Sequence, residues 1–302
     1  MGDLMLSLCI PTNGVSEWVL PVLDSIYKQN VDNDIFEVIV SDNGQNKLFK
    51  EKMECYCLLH DNLKYKQTTS YMFYNQLEAL KSASGKYIKL LNHRSSLKEN
   101  SITYFIDFIK KYENSEPVVY FSNGSLGGKS YHDKNFNDFV AHLGYLASWT
   151  TGVGIWKDKL DAMPKNIKID QISPHSCILF SDKQNNNYII DDFVFCVEID
   201  NSHMNKGKYD LYKAFGVEEF LITLNLYADG DIDAKTVKIV KKEYENFLSQ
   251  LYWEFSIRKK PCSYIIDDLK DSGNIIYSRK SIIMKAYIYG ISCMLKKIKR
   301  RK

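Results

Sequence analysis

Three short apolar runs, Leu4 to Ile10, Phe36 to Val40 and Tyr87 to Leu91, each break into a polar junction. That recurrence constrains the fold more than any other feature of the chain. The junctions are Pro11-Thr12-Asn13-Gly14, Ser41-Asp42-Asn43-Gly44 and Asn92-His93-Arg94-Ser95. Leu4 to Ile10 predicts a first strand, and Ser16 a cap for a helix carrying Val19, Val22, Leu23, Ile26 and Tyr27 at helical spacing. Strands are predicted over 36–40, 63–67, 87–91 and 117–121. Helices are predicted over 72–83, stopped by Ser84-Gly85, and over 102–112. Such alternation predicts an α/β chain with a largely parallel sheet and helices on both faces. Ligands of such sheets bind beyond the carboxyl ends of the strands, and all three junctions fall there.

The second half is less regular. Asn123 to Gly128 reads as a loop. Thr150 to Trp156 reads as a strand or a close-approach segment, in which Gly152 and Gly154 let the backbone pack near a ligand. Tyr188 to Ile199 is β-like but interrupted by Asp191-Asp192, and 217–227 and 234–257 are helical. The expected organisation is one domain over 1–225 and a helical extension over 226–302. A chain of 302 residues, 45% apolar, can bury a full core. Six of the last seven residues are basic, so the formal +3 of the whole leaves a mildly acidic body. That balance argues against a nucleic-acid partner and for a local electrostatic contact at the C-terminal end. Ser281 to Lys302 mixes apolar and basic residues, too short and too charged a stretch to span a bilayer. It predicts an amphipathic helix on an anionic membrane surface, with packing on the rest of the chain or an oligomer contact as alternatives. The seven cysteines include no C-x-x-C pair and fit reduced thiols in a cytoplasmic protein. No secretory signal is read at the N-terminus.

The segments Ser7 to Thr12, Leu23-x-Ser25-Ile26-x-x-Gln29, Glu37 to Gly44, Asn75 and Ala83 to Ile88 stand in an order and spacing that carries a resemblance. Residues 4 to about 225 resemble a family 2 glycosyltransferase of the GT-A fold, the class that builds bacterial surface polysaccharides. The later half is nearest to abequosyltransferase-like O-antigen and capsule transferases. The resemblance implies a Rossmann-like, mostly parallel sheet, a UDP-sugar donor, and a lipid-linked or polymeric glycan acceptor. It also implies residence in the bacterial cytoplasm at the inner face of the membrane, and it leaves the oligomeric state open. Pro11 and Thr12 match the positions that cradle the base. Asp42, followed by Asn43, matches the carboxylate that accepts from uracil N3, although Asp42-Asn43-Gly44 also reads as a plain turn.

The third junction departs from the family, whose aspartates hold a divalent cation there. Asn92, His93, Arg94 and Ser95 leave no carboxylate, so no metal cofactor is expected by that route. His93 and Arg94 are expected to bind the diphosphate instead; the competing reading is a diverged, inactive site. The resemblance implies an inverting reaction, with a retaining one as the near alternative. It places the general base at Asp170, with Asp191 and Asp192 as rivals. The acceptor segment falls at Gly152, Gly154 and His175, and a loop over the diphosphate carries His203, Lys206 and Lys208. The alternative from another class is a non-catalytic nucleotide-sugar-binding or scaffolding subunit.

Overall fold

A computed structural model describes residues 3–164, 168–199, 209–262, 264–266, 269 and 272–299. Its contacts divide the chain into two units. The first runs through Phe139 and resumes over Leu146–Ile199; the second holds Val140–Tyr145 and the chain from 200 onward. The division therefore falls at 199/200 rather than at 225, because 225 lies inside a continuous helix, Glu219–Ala228.

The first unit carries β1 (Leu6–Thr12), α1 (Ser16–Tyr27), β2 (Phe36–Asp42), α2 (Lys47–Leu59), β3 (Leu63–Gln67), α3 (Asn75–Lys81), β4 (Tyr87–Leu90), β5 (Ser95–Leu97), α4 (Ser101–Tyr112), β6 (Val118–Phe121) and β7 (Tyr131–Asp133). Then come α5 (Phe136–Leu143), which straddles the division, β8 (Gly154–Trp156), α6 (Lys157–Asp161), α7 (Pro174–Leu179), β9 (Tyr188–Asp191) and β10 (Cys196–Glu198). The main sheet has the order β3-β2-β1-β4-β8. Its first four strands are parallel, and β8 closes the edge antiparallel to β4. β2 and β4 are buried throughout and β1 at every residue but Pro11, as strands covered on both faces must be. α1 lays Val19, Val22, Leu23 and Ile26 into the core, and α4 contributes Ile102, Phe105 and Ile109.

Several expectations change. Ser16 is the first helical residue of α1, not its cap; Val15 holds the cap position without a side-chain bond. α2 was not read from the sequence, and Cys55 and Cys57 lie on it. Tyr188–Ile199 splits into β9, which pairs with β6, and β10, which pairs with β5. The Ser84-Gly85 stop gains a reason: a Cβ on Gly85 would lie 2.8 Å from Leu6 C and from Ser7 Oγ, so the turn can cross β1 only without a side chain.

The second unit is helical: α8 (Leu211–Lys213), a π turn over Ala214–Glu218, α9 (Glu219–Ala228), α10 (Ala234–Leu251), a π turn over Tyr252–Ile257, and α11 (Arg279–Lys299). Phe220, Val240, Tyr244, Leu248, Trp253, Ile282 and Ala286 form its buried centre. Gly290 lets α11 lie against Trp253, whose ring a Cβ would meet at 2.3 Å.

Candidate functional site

The parallel register sets Thr12, Asp42 and Gln67 in one row at the carboxyl edge of the sheet. The β4 chain joins that edge where Leu91 N–H donates to Cys9 O at 2.8 Å. Asn75, at the start of α3, ties the edge together. Its Nδ2 donates to Thr12 O (3.0 Å) and Ser41 O (2.6 Å), and its Oδ1 accepts from the Ser41 and Thr68 hydroxyls. Asn43 fastens the loop that follows β3 by donating to Ser70 O and Met72 O, both at 2.9 Å.

Asp42 is wholly buried. Oδ1 accepts Gly44 N–H and Oδ2 accepts the Tyr65 hydroxyl, both at 2.8 Å. The structure thus displays the turn. Each oxygen keeps a second lone pair, and an incoming base would compete with the Tyr65 hydroxyl for Oδ2. Beside this turn an open polar groove of about 700 Å³ is lined by Asn43, Gly44, Lys66, Gln67 and Thr68–Ser70. Pro11 is half-buried and Thr12 buried.

At the third junction, His93 Nδ1 lies 2.9 Å from Thr12 Oγ1, which also accepts Gly14 N–H. The His93 ring tilts against Trp18, with 4.8 Å between centroids. The first and third junctions are therefore joined side chain to side chain. Arg94 is largely covered: its guanidinium carbon sits 5.8 Å from the Trp18 ring centre, and Nη2 lies 4.0 Å from Glu198 Oε2. Glu198 also accepts from Ser95 Oγ. In this conformation the Arg94 charge faces a carboxylate of β10.

The support under this loop was not assigned from the sequence. Lys89 of β4 is wholly buried, donating to the carbonyls of Leu90, Thr151 and Val153 between the rings of Phe121 and Phe195. Burial pushes its ammonium down to about 7. The Thr151 hydroxyl accepts Asn92 N–H at 3.0 Å and lies 2.9 Å from Ser95 Oγ. Lys89 thus grips the segment that grips the junction. The available signal was a lysine in the middle of an otherwise apolar strand.

Asp170 precedes α7, and its Oδ1 accepts the N–H groups of Ile172 (2.8 Å) and Ser173 (2.9 Å). Ile169 O and Gln171 reach the Met72–Tyr74 turn through Tyr74 Oη and Met72 Sδ, so Asp170 is carried beside the loop that Asn43 fastens. Its sequence rivals are structural. Asp192 is buried and accepts from Ser122 Oγ, Leu126 N and Gly128 N, organising the 122–128 loop. Asp191 accepts from Tyr104 Oη and Phe193 N.

The expected acceptor residues occupy different roles in the packing. His175 is buried, with Nε2 3.0 Å from Ser148 O and Nδ1 3.5 Å from Thr150 Oγ1. Burial lowers it to about 4, so it is a neutral strut between α7 and the 148–150 segment. Gly152 and Gly154 accommodate rings of the protein itself: a Cβ would meet Tyr120 at 2.2 Å and Tyr87 at 2.3 Å. Gly152→Ala is accordingly expected to cost about 1–3 kcal/mol, read as a lowered urea midpoint at unchanged slope. An unchanged midpoint would show that Tyr120 yields freely. His203, Lys206 and Lys208 lie outside the described residues.

A hard divalent cation is poorly matched here. The 92–95 junction offers no carboxylate, and Glu198 beside it is engaged by Ser95 and Arg94. Among the described residues no group of three or more His, Cys, Asp or Glu could hold a metal ion.

The sequence model described as Glycosyl transferase family 2 matches residues 7–163. Comparison with curated protein sequences gave no match. Among solved structures, S. aureus TarS 1-349 is similar at 15% identity and a TM-score of 0.55, over 93% of this chain and 78% of that one. The same protein in complex with UDP-GlcNAc is similar at 16% identity and a TM-score of 0.56, over 84% and 76%. Against a longer TarS chain the match spans 43% of that chain. At such identities the likeness concerns the fold, which is GT-A.

Proposed function

The chain belongs to glycosyl transferase family 2, and from that premise we propose that it transfers a sugar from a UDP-sugar to a lipid-linked or polymeric surface glycan of a bacterium. The observation that carries the reading is the gathering of Thr12, Asp42 and His93 at one sheet edge, by the Thr12–Asp42 register, the Asn75 bonds to Thr12 O and Ser41 O, and the Thr12–His93 contact. Family membership supports reading that edge as the donor site. The UDP and UDP-GlcNAc complexes of the similar fold support a uridine donor. In this reading the nucleoside enters beside the 43–44 turn and the groove lined by Gln67 and Thr68. Tyr65 moves off Asp42 as the base arrives.

The diphosphate then lies toward His93 and Arg94. Arg94 exchanges its 4.0 Å approach to Glu198 for charge-assisted bonds to phosphate oxygens, a change that costs little because the starting pair is long. We place Asp170 as the base of an inverting transfer, and the reaction as one that needs no divalent cation. One observation favours a second reading, a non-catalytic nucleotide-sugar-binding subunit: Asp42 and Arg94 are both engaged within the chain.

Thermal-shift and calorimetric titration with UDP, UDP-GlcNAc, GDP and CDP, each with EDTA or added manganese, tests both. The expected result is uridine-selective binding at equal affinity in EDTA, followed by turnover in EDTA with an inverted anomer. Binding or turnover that requires manganese would remove the metal-independent part. Uridine-selective binding without transfer or hydrolysis would favour the non-catalytic reading.

A further inference from the structure

α11 buries one face and leaves a second apolar face uncovered within its unit. Ile282, Ala286 and Gly290 turn inward, and Lys285 and Ser281 bond Glu245 of α10, each at 2.6 Å. On the other side Met284, Tyr287, Ile288, Ile291, Met294 and Leu295 are each more than half exposed. At about 100° per residue these six fall within roughly 120° of arc, one continuous stripe about 17 Å long. Scattered exposed apolar residues need no explanation, whereas a contiguous stripe of this size marks a contact surface.

Charge selects the occupant. No Asp or Glu occurs between Arg279 and Lys302, and positions 296–302 supply six Lys and Arg. Exposed Lys280 lies at the opposite end of the stripe. An apolar stripe bounded by cations and free of carboxylates suits a surface that is anionic above and apolar below. We propose that this face of α11 docks on an anionic lipid membrane, with the helix lying in the interfacial plane. No described helix is long and apolar enough to cross a bilayer, and the stripe is about half the roughly 30 Å of a hydrocarbon core. The proposal stands independently of the donor reading, since none of its residues belongs to the donor site.

The experiment is co-sedimentation of the full chain with vesicles of phosphatidylcholine alone and of phosphatidylcholine with roughly 30 mol% phosphatidylglycerol, at about 0.1 and 0.5 M salt. Wild-type protein is expected to partition at least about tenfold more strongly onto the anionic vesicles and to lose most of that preference at high salt. The double variant Ile288→Asp/Ile291→Asp is expected to lose at least about tenfold in binding at an unchanged melting temperature. Lys296→Gln/Lys297→Gln/Lys299→Gln, which leaves the stripe intact, is expected to lose the anionic preference alone. Equal partition onto both vesicles, or unaltered binding by the Asp double variant, overturns the proposal. So does a dimer-to-monomer change in that variant by light scattering without vesicle binding, which assigns the stripe to a second copy of the chain. UDP binding by the same samples reports on the donor site separately.

Discussion

Lys89→Ala is expected to lower the stability of the first unit by about 3–5 kcal/mol, through a cavity in the core and an unpaired Thr151 carbonyl. Lys89→Met fills the volume and leaves only the carbonyl orphaned, so its loss is expected to be the smaller. The pH dependence separates a buried ammonium from mere packing. Lys89 is held near 7 in the folded chain, below the roughly 10.4 of an unfolded lysine. Between those values the unfolded chain binds the extra proton, so this group makes stability rise with pH. Below pH 7 both states are protonated and the penalty of the buried charge is fully present. The wild-type stability minus that of Lys89→Met is therefore expected to grow between pH 6.5 and 8.5. Its slope approaches at most about 1.4 kcal/mol per pH unit. Urea unfolding at several pH values gives the difference directly; a flat difference would show that Lys89 does not titrate in this range. Because Thr151 also holds Asn92 N–H and faces Ser95, UDP affinity is expected to weaken in Lys89→Met more than in a surface Lys→Met control.

What the sequence made legible follows from where burial is two-sided. β1, β2 and β4 read as continuous apolar runs because both faces of a parallel sheet are covered, and the ends of those runs form the candidate site. α2 escaped because Phe49 and Met53 are its only fully buried residues, while Leu48, Leu58 and Leu59 are exposed and blur any apolar stripe. β5 and β10 are three residues each, too short to show a period, and their pairing joins segments about a hundred residues apart. That pairing brings Glu198 to Arg94, so the present partner of the arginine could not be read locally. The same applies to Tyr65 over Asp42. Residue type raised the candidate chemistry at both positions, whereas the closing contacts come from neighbouring strands. Gly152 and Gly154 read in the sequence as positions of close approach to a ligand, whereas the groups packed against them in the structure are Tyr120 and Tyr87.

Asp170→Asn is expected to lower kcat by about 10²–10⁴-fold while leaving UDP-sugar affinity and melting temperature nearly unchanged. The geometry makes this substitution unusually clean. Asp170 Oδ1 accepts two backbone N–H groups ahead of α7, and an asparagine oxygen can accept the same two bonds. What asparagine cannot do is take a proton on the second oxygen. Asp170→Ala removes both functions, so it adds a loss of about 1 kcal/mol from the turn to the same fall in kcat. If Asp170 only shapes the turn, Asn retains near wild-type kcat and Ala alone is impaired, with a lowered melting temperature. A full kcat in both Asp170→Asn and Asp170→Ala would return the role of base to another carboxylate. Asp191 and Asp192 are poor substitutes, since their oxygens are taken up by Tyr104, Phe193, Ser122 and the 126–128 backbone. Of the three carboxylates weighed for proton abstraction, Asp170 alone is bonded through a single oxygen among the described residues, beside the turn that Tyr74 and Met72 form, and the proposed base function falls to the other oxygen.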